Sequence, residues 1–550
     1  MINKPKLLPA LLVMLFLMAT GFANAKVLQI QDTTHTHPKD WQLLDPADDH
    51  VHGVSAEKTY QTLLKGKPSK TVLVAVIDSG IDINHEDLKD IIWTNEDEIP
   101  GNGIDDDKNG YVDDVHGWSF IGGKNGNVDQ DTYELTREYV RLKPKYGSME
   151  ESKVGKKQKE EFAYWKKVEK AFEEKAQEAQ QQYKLYNTFY ENISVGNDTL
   201  KKILGVPKLT KEMVEQLKSN DQVISMAKSA VIYIFQNVGE DADVDEVLSE
   251  LKEAVDYYGK QAKYGYNTDF DPRSIVGDNY SDLSQRNYGN NDVIGPDPSH
   301  GTHVAGIIAA NRTNDIGMKG VADNVRIMVV RAVPDGDERD KDVANAIYYA
   351  VDNGARIINM SFGKDYSPQK EAVDKAVKYA ETKGVLLVHA AGNDGSNNDD
   401  GNNYPSRLYA DGKEAKTWIE IGASAWGSNE EFVASFSNYG KKTVDFFSPG
   451  HEIYSSVPGN LYEDNSGTSM ASPVTAGVAA MLMEYFPTLT AAQVKEILRA
   501  STRKFDGLKV IKPGSDELTD LSKISITGGL VNAYEAVKLA MSMSGQNPEK

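Results

Sequence analysis

Short, nearly uninterrupted runs of apolar and β-branched residues recur along this chain with amphipathic stretches between them, and that alternation restricts the fold more than any other feature. "TVLVAVID" (71–78), "NVRIMVVRAV" (324–333), "GARIINMSF" (354–362) and "GVLLVHAAGN" (384–393) are too apolar for strands with one wet face. Such strands belong in a parallel sheet covered by helices on both sides. The intervening text supplies the helices. "KDVANAIYYAVDNG" sets Val343, Ala346, Ile347 and Ala350 on one helical face and stops at Gly354. The pattern occupies residues 41–121 and 273–541 and predicts an α/β fold with a mostly parallel sheet in a three-layer arrangement.

Residues 122–272 read differently, as long, charged, helical sequence with almost no strand signal. In "DADVDEVLSELKEAVDYYG", Val244, Val247, Leu248, Leu251, Val255 and Tyr258 fall at helical spacing and form one apolar stripe. We read this segment as a large all-helical insertion whose charge runs are solvated helix faces. Residues 1–25 have the pattern of an export signal: Lys4 and Lys6, an apolar stretch from Leu7 to Ala19, then Ala23-Asn24-Ala25. The stretch is shorter than the roughly 20 residues a membrane span needs, so cleavage after Ala25 and a secreted or periplasmic protein are expected. A short leader (26–40) follows, with no room for a folding propeptide, and a polar tail (542–550) ends the chain. With no cysteine there is no disulfide framework, leaving the core and any bound metal ions to hold an exported protein together. The net charge of −21 argues against nucleic acid or an anionic membrane as the main partner and tolerates cations.

Four separated motifs carry the chemistry. Asp78 ends a strand in "AVIDSGID", His300 opens a small-residue helix in "SHGTHVAG", Asn393 follows a strand in "HAAGNDG", and Ser469 lies in "NSGTSMASPV". Each alone has a plain structural reading: a turn-forming Asp, a structural His, a helix-capping Ser. The His300/His303 spacing also resembles a metal pair, but the acidic base and third ligand of H-E-x-x-H are missing. Together they cover the roles of acyl transfer. A serine hydroxyl needs an imidazole to take its proton, the imidazole needs a carboxylate to hold it, and the tetrahedral oxyanion needs donors such as a carboxamide and a helix-start N–H. Asp, then His, then Ser is one of three known orders of this triad.

These motifs, with "INMSFG", "ASFSNYG" and "DFFSPG", resemble the subtilisin-like serine proteases over residues 41–120 and 274–540. The resemblance implies a subtilisin-like fold and an endopeptidase acting on proteins or peptides. It makes Asp78 the triad carboxylate, His300 the base, Ser469 the nucleophile and Asn393 the oxyanion donor; of the two neighbouring hydroxyls, Thr468 is then read as a packing neighbour. It places Ser361 and Gly363 in the segment that pairs with extended substrate, and Gly392 and Asp394 along the far wall of the primary pocket. Lys364 stands where a second glycine is usual, which leaves the pocket's shape open; Asp394 with Asp399 and Asp400 could favour a basic side chain there, the alternative being a solvated polar turn. A non-enzymatic protein that kept the fold would normally have lost one of the four residues. An esterase would be expected to show G-x-S-x-G, whereas Ser469 sits in "GTSMA".

Calcium is the expected cofactor. "DDDKNGYVDD" spaces Asp105, Asp107, Asn109 and Asp113 at hard-oxygen intervals around Gly110, although the twelfth position is His116 rather than an acid. A metal-free acidic turn is the alternative. The resemblance adds Asp87, with Asn314 as its partner. Because Asp78 and His300 lie 222 positions apart and must meet, the two ends of the insertion must lie close together, and the module is expected to emerge near the active-site rim. The sequence does not fix the oligomeric state.

Overall fold

The computed structural model describes residues 37–401 and 403–545; the export segment and nearly all of the leader lie outside the described residues. Among the described residues two compact units appear, one of residues 37–134 with 271–545 and one of residues 135–270.

The first unit is built on nine strands: β1 (Val72–Asp78), β2 (Gly117–Ser119), β3 (Val325–Arg331), β4 (Ile357–Met360), β5 (Leu386–Ala390), β6 (Trp418–Ser424), β7 (Phe446–Pro449), β8 (Arg503–Lys504) and β9 (Gly529–Leu530), in the order β8-β9-β7-β6-β5-β4-β1-β3-β2. Every pairing is parallel except β8 with β9. The expected mostly parallel α/β sheet is therefore present. Its longer helices are α1 (Ser299–Ala309), α2 (Asp340–Asp352), α3 (Lys370–Lys383), α4 (Thr468–Tyr485), α5 (Ala491–Ala500) and α6 (Ala533–Met543).

Strand residues sort by parity into two cores, as the two-residue strand period requires. Val74, Val76, Ile327, Val329, Ile357, Val388 and Ile421 pack with Val304 and Ile308 of α1 and with Val474 and Val478 of α4. Ala75, Ile77, Met328, Val330, Ile358, Met360 and Leu387 pack on the other side with Val343 and Ile347 of α2 and Val373 and Val377 of α3. Each such side chain stabilises the fold by about 1.5–3 kcal/mol through burial, so both faces must be covered and three layers result.

The chain crosses from one side of β1 to the other between β3 and β4. In an open α/β sheet such a switch leaves a crevice beyond the carboxyl ends of the strands, free of crossing connections. Asp78 is the last residue of β1, Ser361 follows β4, and Asn393 lies three residues past β5.

The second unit is helical, with a 46-residue helix (Lys159–Leu204) and helices Gln222–Asn237 and Val244–Lys260. Val244, Val247, Leu251 and Val255 are buried in its own core with Val231, Ile234 and Leu200. Among the described residues no helix is long and apolar enough to cross a membrane.

Candidate active site

His300 opens α1, and its Nδ1 lies 2.7 Å from Asp78 Oδ1. The helix can start this close to the end of β1 because Gly301 has no side chain: a methyl there would lie 2.2 Å from the Gly80 carbonyl oxygen and 3.2 Å from Asp78 Cβ. Asp78 Oδ1 also accepts the Ser79 N–H at 2.8 Å. The Asp78 carboxylate is buried, while the His300 side chain is 28% exposed. His300 Nε2 has no hydrogen-bond partner among the described residues. The Ser469 hydroxyl donates to the Ser361 carbonyl at 3.1 Å, not to that nitrogen. In the absence of substrate, hydrogen bonds of this kind are often loose.

The start of α4 explains how Ser469 is held. Pro473 lies inside the helix and has no N–H, so the Ser469 carbonyl loses its normal donor four residues on. The Ser361 hydroxyl fills that place, donating to Ser469 O at 2.9 Å and accepting from Asn359 Nδ2 at 3.0 Å. The Ser472 hydroxyl bonds Asn359 Oδ1 at 2.9 Å. The end of β4 thus clamps the Ser469 peptide.

Asn393 is oriented by Thr468. Its Oδ1 accepts the Thr468 N–H at 2.9 Å and the Thr468 hydroxyl at 3.0 Å, and that hydroxyl accepts the Gly392 N–H at 3.0 Å. With Oδ1 engaged, Nδ2 faces the gap at Gly467. A methyl built on Gly467 would lie 3.3 Å from Asn393 Nδ2 and 3.5 Å from the Ser469 amide nitrogen. Two donor nitrogens therefore flank one point at a helix start, where the backbone dipole also favours negative charge. The sequence reading missed this role of Thr468 and took it for packing; the signal was the second hydroxyl beside Ser469.

Of the pocket residues, Ser361 touches Ser469 and Gly392 touches Thr468, as described. Gly363 lies against Asn403, whose Oδ1 would be 2.7 Å from a methyl placed there. Asp394 is exposed. Asp399 is turned away from the cleft: its Oδ1 accepts the Lys442 and Thr443 amides and the Thr443 hydroxyl at 2.9–3.0 Å, so it caps a loop.

Lys364 is buried, and its backbone pairs with Tyr404 in both directions at 2.9 Å. Its ammonium reaches Glu134 Oε2 at 2.8 Å, Asp340 Oδ1 at 2.9 Å and the Glu338 carbonyl at 2.7 Å. Burial pushes the Glu338 carboxyl up to about 8; the Lys364 charge opposes this, and Asp337 and Asp340 add to it. A folded-state value above the unfolded one gives stability that is full below about pH 4.5 and is lost as pH rises through about 8. Glu338→Gln should flatten that decline. Melting curves from pH 5 to 9 check it, and parallel profiles for variant and parent would refute it.

The acidic loop gathers a different set from the one its spacing implied. Carboxylate oxygens of Glu98, Asp105 and Asp107 lie within 4.8 Å of one another. Asp113 does not join them: it has φ 54°, and its carboxylate caps the Asn102 and Gly103 amides at 3.1 and 2.9 Å. Asn109 points its Nδ2 at Asp107 and Asp114, presenting a donor rather than an oxygen ligand. Spacing alone could not show that Glu98, seven residues upstream of Asp105, folds back onto the loop. Three carboxylates this close repel unless a cation or protons intervene, and hard oxygens suit Ca²⁺. At the second place, buried Asp87 accepts from Asn314 Nδ2 at 2.7 Å, from the Met318 N–H at 3.1 Å and from the Tyr462 hydroxyl at 3.3 Å, so Asn314, like Asn109, presents a donor rather than the oxygen ligand expected of it.

Residues 69–521 match the model of the Subtilase family. Over 185 residues the chain is 44% identical to the thermophilic serine proteinase of Bacillus sp. (strain AK1), a match covering 34% of this chain and 42% of that protein. Over 270 residues it is 34% identical to thermitase of Thermoactinomyces vulgaris, covering 48% of this chain and 85% of thermitase. It is also similar to a cold adapted subtilisin-like serine proteinase of known crystal structure, at 30% identity and a TM-score of 0.34 over 43% of this chain and 78% of that one.

Proposed function

Because the chain belongs to the subtilase family, we propose that it is an exported serine endopeptidase that hydrolyses peptide bonds in proteins and peptides. Ser469 Oγ attacks the scissile carbonyl carbon while His300 Nε2 takes its proton. Asp78, bonded to Nδ1, holds the imidazole's tautomer and stabilises the imidazolium. The oxyanion forms between Asn393 Nδ2 and the Ser469 N–H, and His300 then returns the proton to the leaving amine. The convergence of those two donors on the gap at Gly467 carries the reading, and the Asp78–His300 bond supports it. Export rests on the signal pattern of residues 1–25.

The helical insertion is proposed to restrict or select substrates. Within the sheet unit, one residue joins the two stretches that lead to it: Arg339 binds Asp131 at 2.7 and 2.9 Å and Asp271 at 2.8 Å. Glu134, on the outgoing leg, reaches Lys364 next to Gly363. The test is labelling by a fluorophosphonate together with cleavage of casein and of a short peptide ester, in the parent and in a chain lacking residues 135–270. The parent should be labelled and cut both substrates, and the deletion should raise the casein-to-ester ratio. No labelling would sink the peptidase reading, and an unchanged ratio the gating one.

Calcium is proposed as a structural ion at Glu98, Asp105 and Asp107 and at Asp87. Binding to the folded state alone raises its stability by mass action, so a chelator should lower the melting midpoint. Glu98→Gln and Asp87→Asn should each remove part of that shift. An unchanged midpoint on chelation would remove both sites.

A further inference from the structure

The residues around the oxyanion gap are also held from outside the sheet. Gly467 donates its N–H to the Gly450 carbonyl at 2.8 Å, and Gly450 donates to the Ser424 carbonyl, at the end of β6, at 3.0 Å. A methyl on Gly450 would lie 2.8 Å from the Gly467 carbonyl oxygen and 3.0 Å from Ala471 Cβ, so the two glycine turns touch. Between them a hairpin of Ile453–Val457 and Leu461–Asn465 leads on to α4. Glu452 and Ser466 close its open end: the Glu452 N–H donates to the Ser466 hydroxyl at 2.8 Å.

Glu452 has φ 54°, a left-handed backbone that a residue with a side chain keeps only where its surroundings impose it. The Trp41 indole N–H supplies part of that hold, donating to the Glu452 carbonyl at 3.0 Å across 411 positions of chain. His37 Nε2 lies 3.2 Å from the Glu452 carboxylate. Trp41 is wholly buried, and the segment that carries it is fixed to the body of the sheet unit. The Val54 carbonyl accepts the Ala533 N–H at 2.8 Å, at the start of α6, and the Gly53 carbonyl accepts from Arg503 of β8 at 3.1 Å. An indole offers one donor on a rigid ring, so a fixed Trp41 fixes the Glu452 peptide. The contacts then run from Trp41 to Glu452, to Ser466 and, by one peptide bond, to Gly467.

We propose that Trp41 is a positioning residue for the oxyanion site: acting through Glu452 and Ser466, it sets the place of Gly467 against Asn393 Nδ2 and the Ser469 N–H, and thereby kcat. This rests on the endopeptidase reading. Oxyanion donors act only within a narrow distance of the developing charge. A shift of the Ser466–Gly467 peptide by a fraction of an ångström is therefore felt in the transition state and hardly at all in substrate binding.

The experiment measures kcat and KM on a peptide p-nitroanilide, together with single-turnover rates, each variant being held well below its own melting midpoint. Trp41→Phe keeps an aromatic ring in the core and removes the donor. It should lower kcat roughly tenfold with KM nearly unchanged. Ser466→Ala breaks the next link without disturbing the buried indole and should act alike. Leu43→Ala empties a buried site on the same segment. It should lower the melting midpoint and leave kcat within about twofold of the parent. In an Asn393→Ala background, Trp41→Phe should cost about threefold or less, because the two substitutions weaken one stabilisation. Fluorophosphonate labelling of Ser469 reports folding in each variant. Parental kcat in either Trp41→Phe or Ser466→Ala, an equal loss of kcat in Leu43→Ala, or an undiminished cost in the Asn393→Ala background would overturn the proposal alone. Absence of both cleavage and labelling in the parent would overturn it together with the peptidase reading.

Discussion

Ser469→Ala is expected to lower kcat by about 10⁶-fold, the scale known for subtilisin itself when its nucleophile is removed, and to abolish phosphonate labelling. The fold should survive. Among the described residues the hydroxyl makes one hydrogen bond, to the Ser361 carbonyl, and such a bond contributes only about 1 kcal/mol net. The peptide is held independently by the Ser361 hydroxyl. His300→Ala should cost a similar factor, and the double variant little more, because the groups act as a unit. Casein turnover by the alanine variant within a hundredfold of the parent would show that another group performs the attack.

Gly467→Ala is expected to lower kcat by roughly 10²–10³-fold while leaving KM nearly unchanged, the size of effect that loss of one oxyanion donor has in subtilisin. The backbone at Gly467 is extended, with φ 163° and ψ 160°, so alanine fits without conformational strain. The new methyl occupies the point shared by Asn393 Nδ2 and the Ser469 N–H. It thereby excludes the oxyanion, touching the Ser469 amide but no side chain of Asp78, His300 or Ser469. Asn393→Ala should cost about the same, and the pair combined should cost less than the product of the two, because both remove one stabilisation. Single-turnover rates on an anilide check this, and a Gly467→Ala enzyme with parental kcat would place the reacting carbonyl elsewhere.

Much of the scaffold was legible because it depends on local pattern. The runs at 71–78, 324–333, 354–362 and 384–393 became β1, β3, β4 and β5, since a strand apolar on both faces has few other places to go. The helix from Asp340 to Asp352 buries Val343, Ala346, Ile347 and Ala350 as its period required. The residues missed are those whose roles depend on partners far along the chain. Thr468 orients an amide 75 positions away, Glu98 joins an acidic loop through a fold-back, and Trp41 holds Glu452, 411 positions away. Asp113 misled the reading because ligand spacing presumes that a loop winds around one centre, and here the chain reverses at a positive φ.

By itself the sequence determined the sheet, its two apolar faces, and the presence of Asp78, His300, Asn393 and Ser469 in one protein, because hydrophobic periodicity and side-chain chemistry are local properties. Only the tertiary structure decided which amide oxygen is engaged, which hydroxyl replaces the hydrogen bond that Pro473 removes, and which carboxylates meet. Those depend on directions and distances set when strands distant in sequence come side by side, and a hydrogen bond is lost within a fraction of an ångström or a turn of an amide.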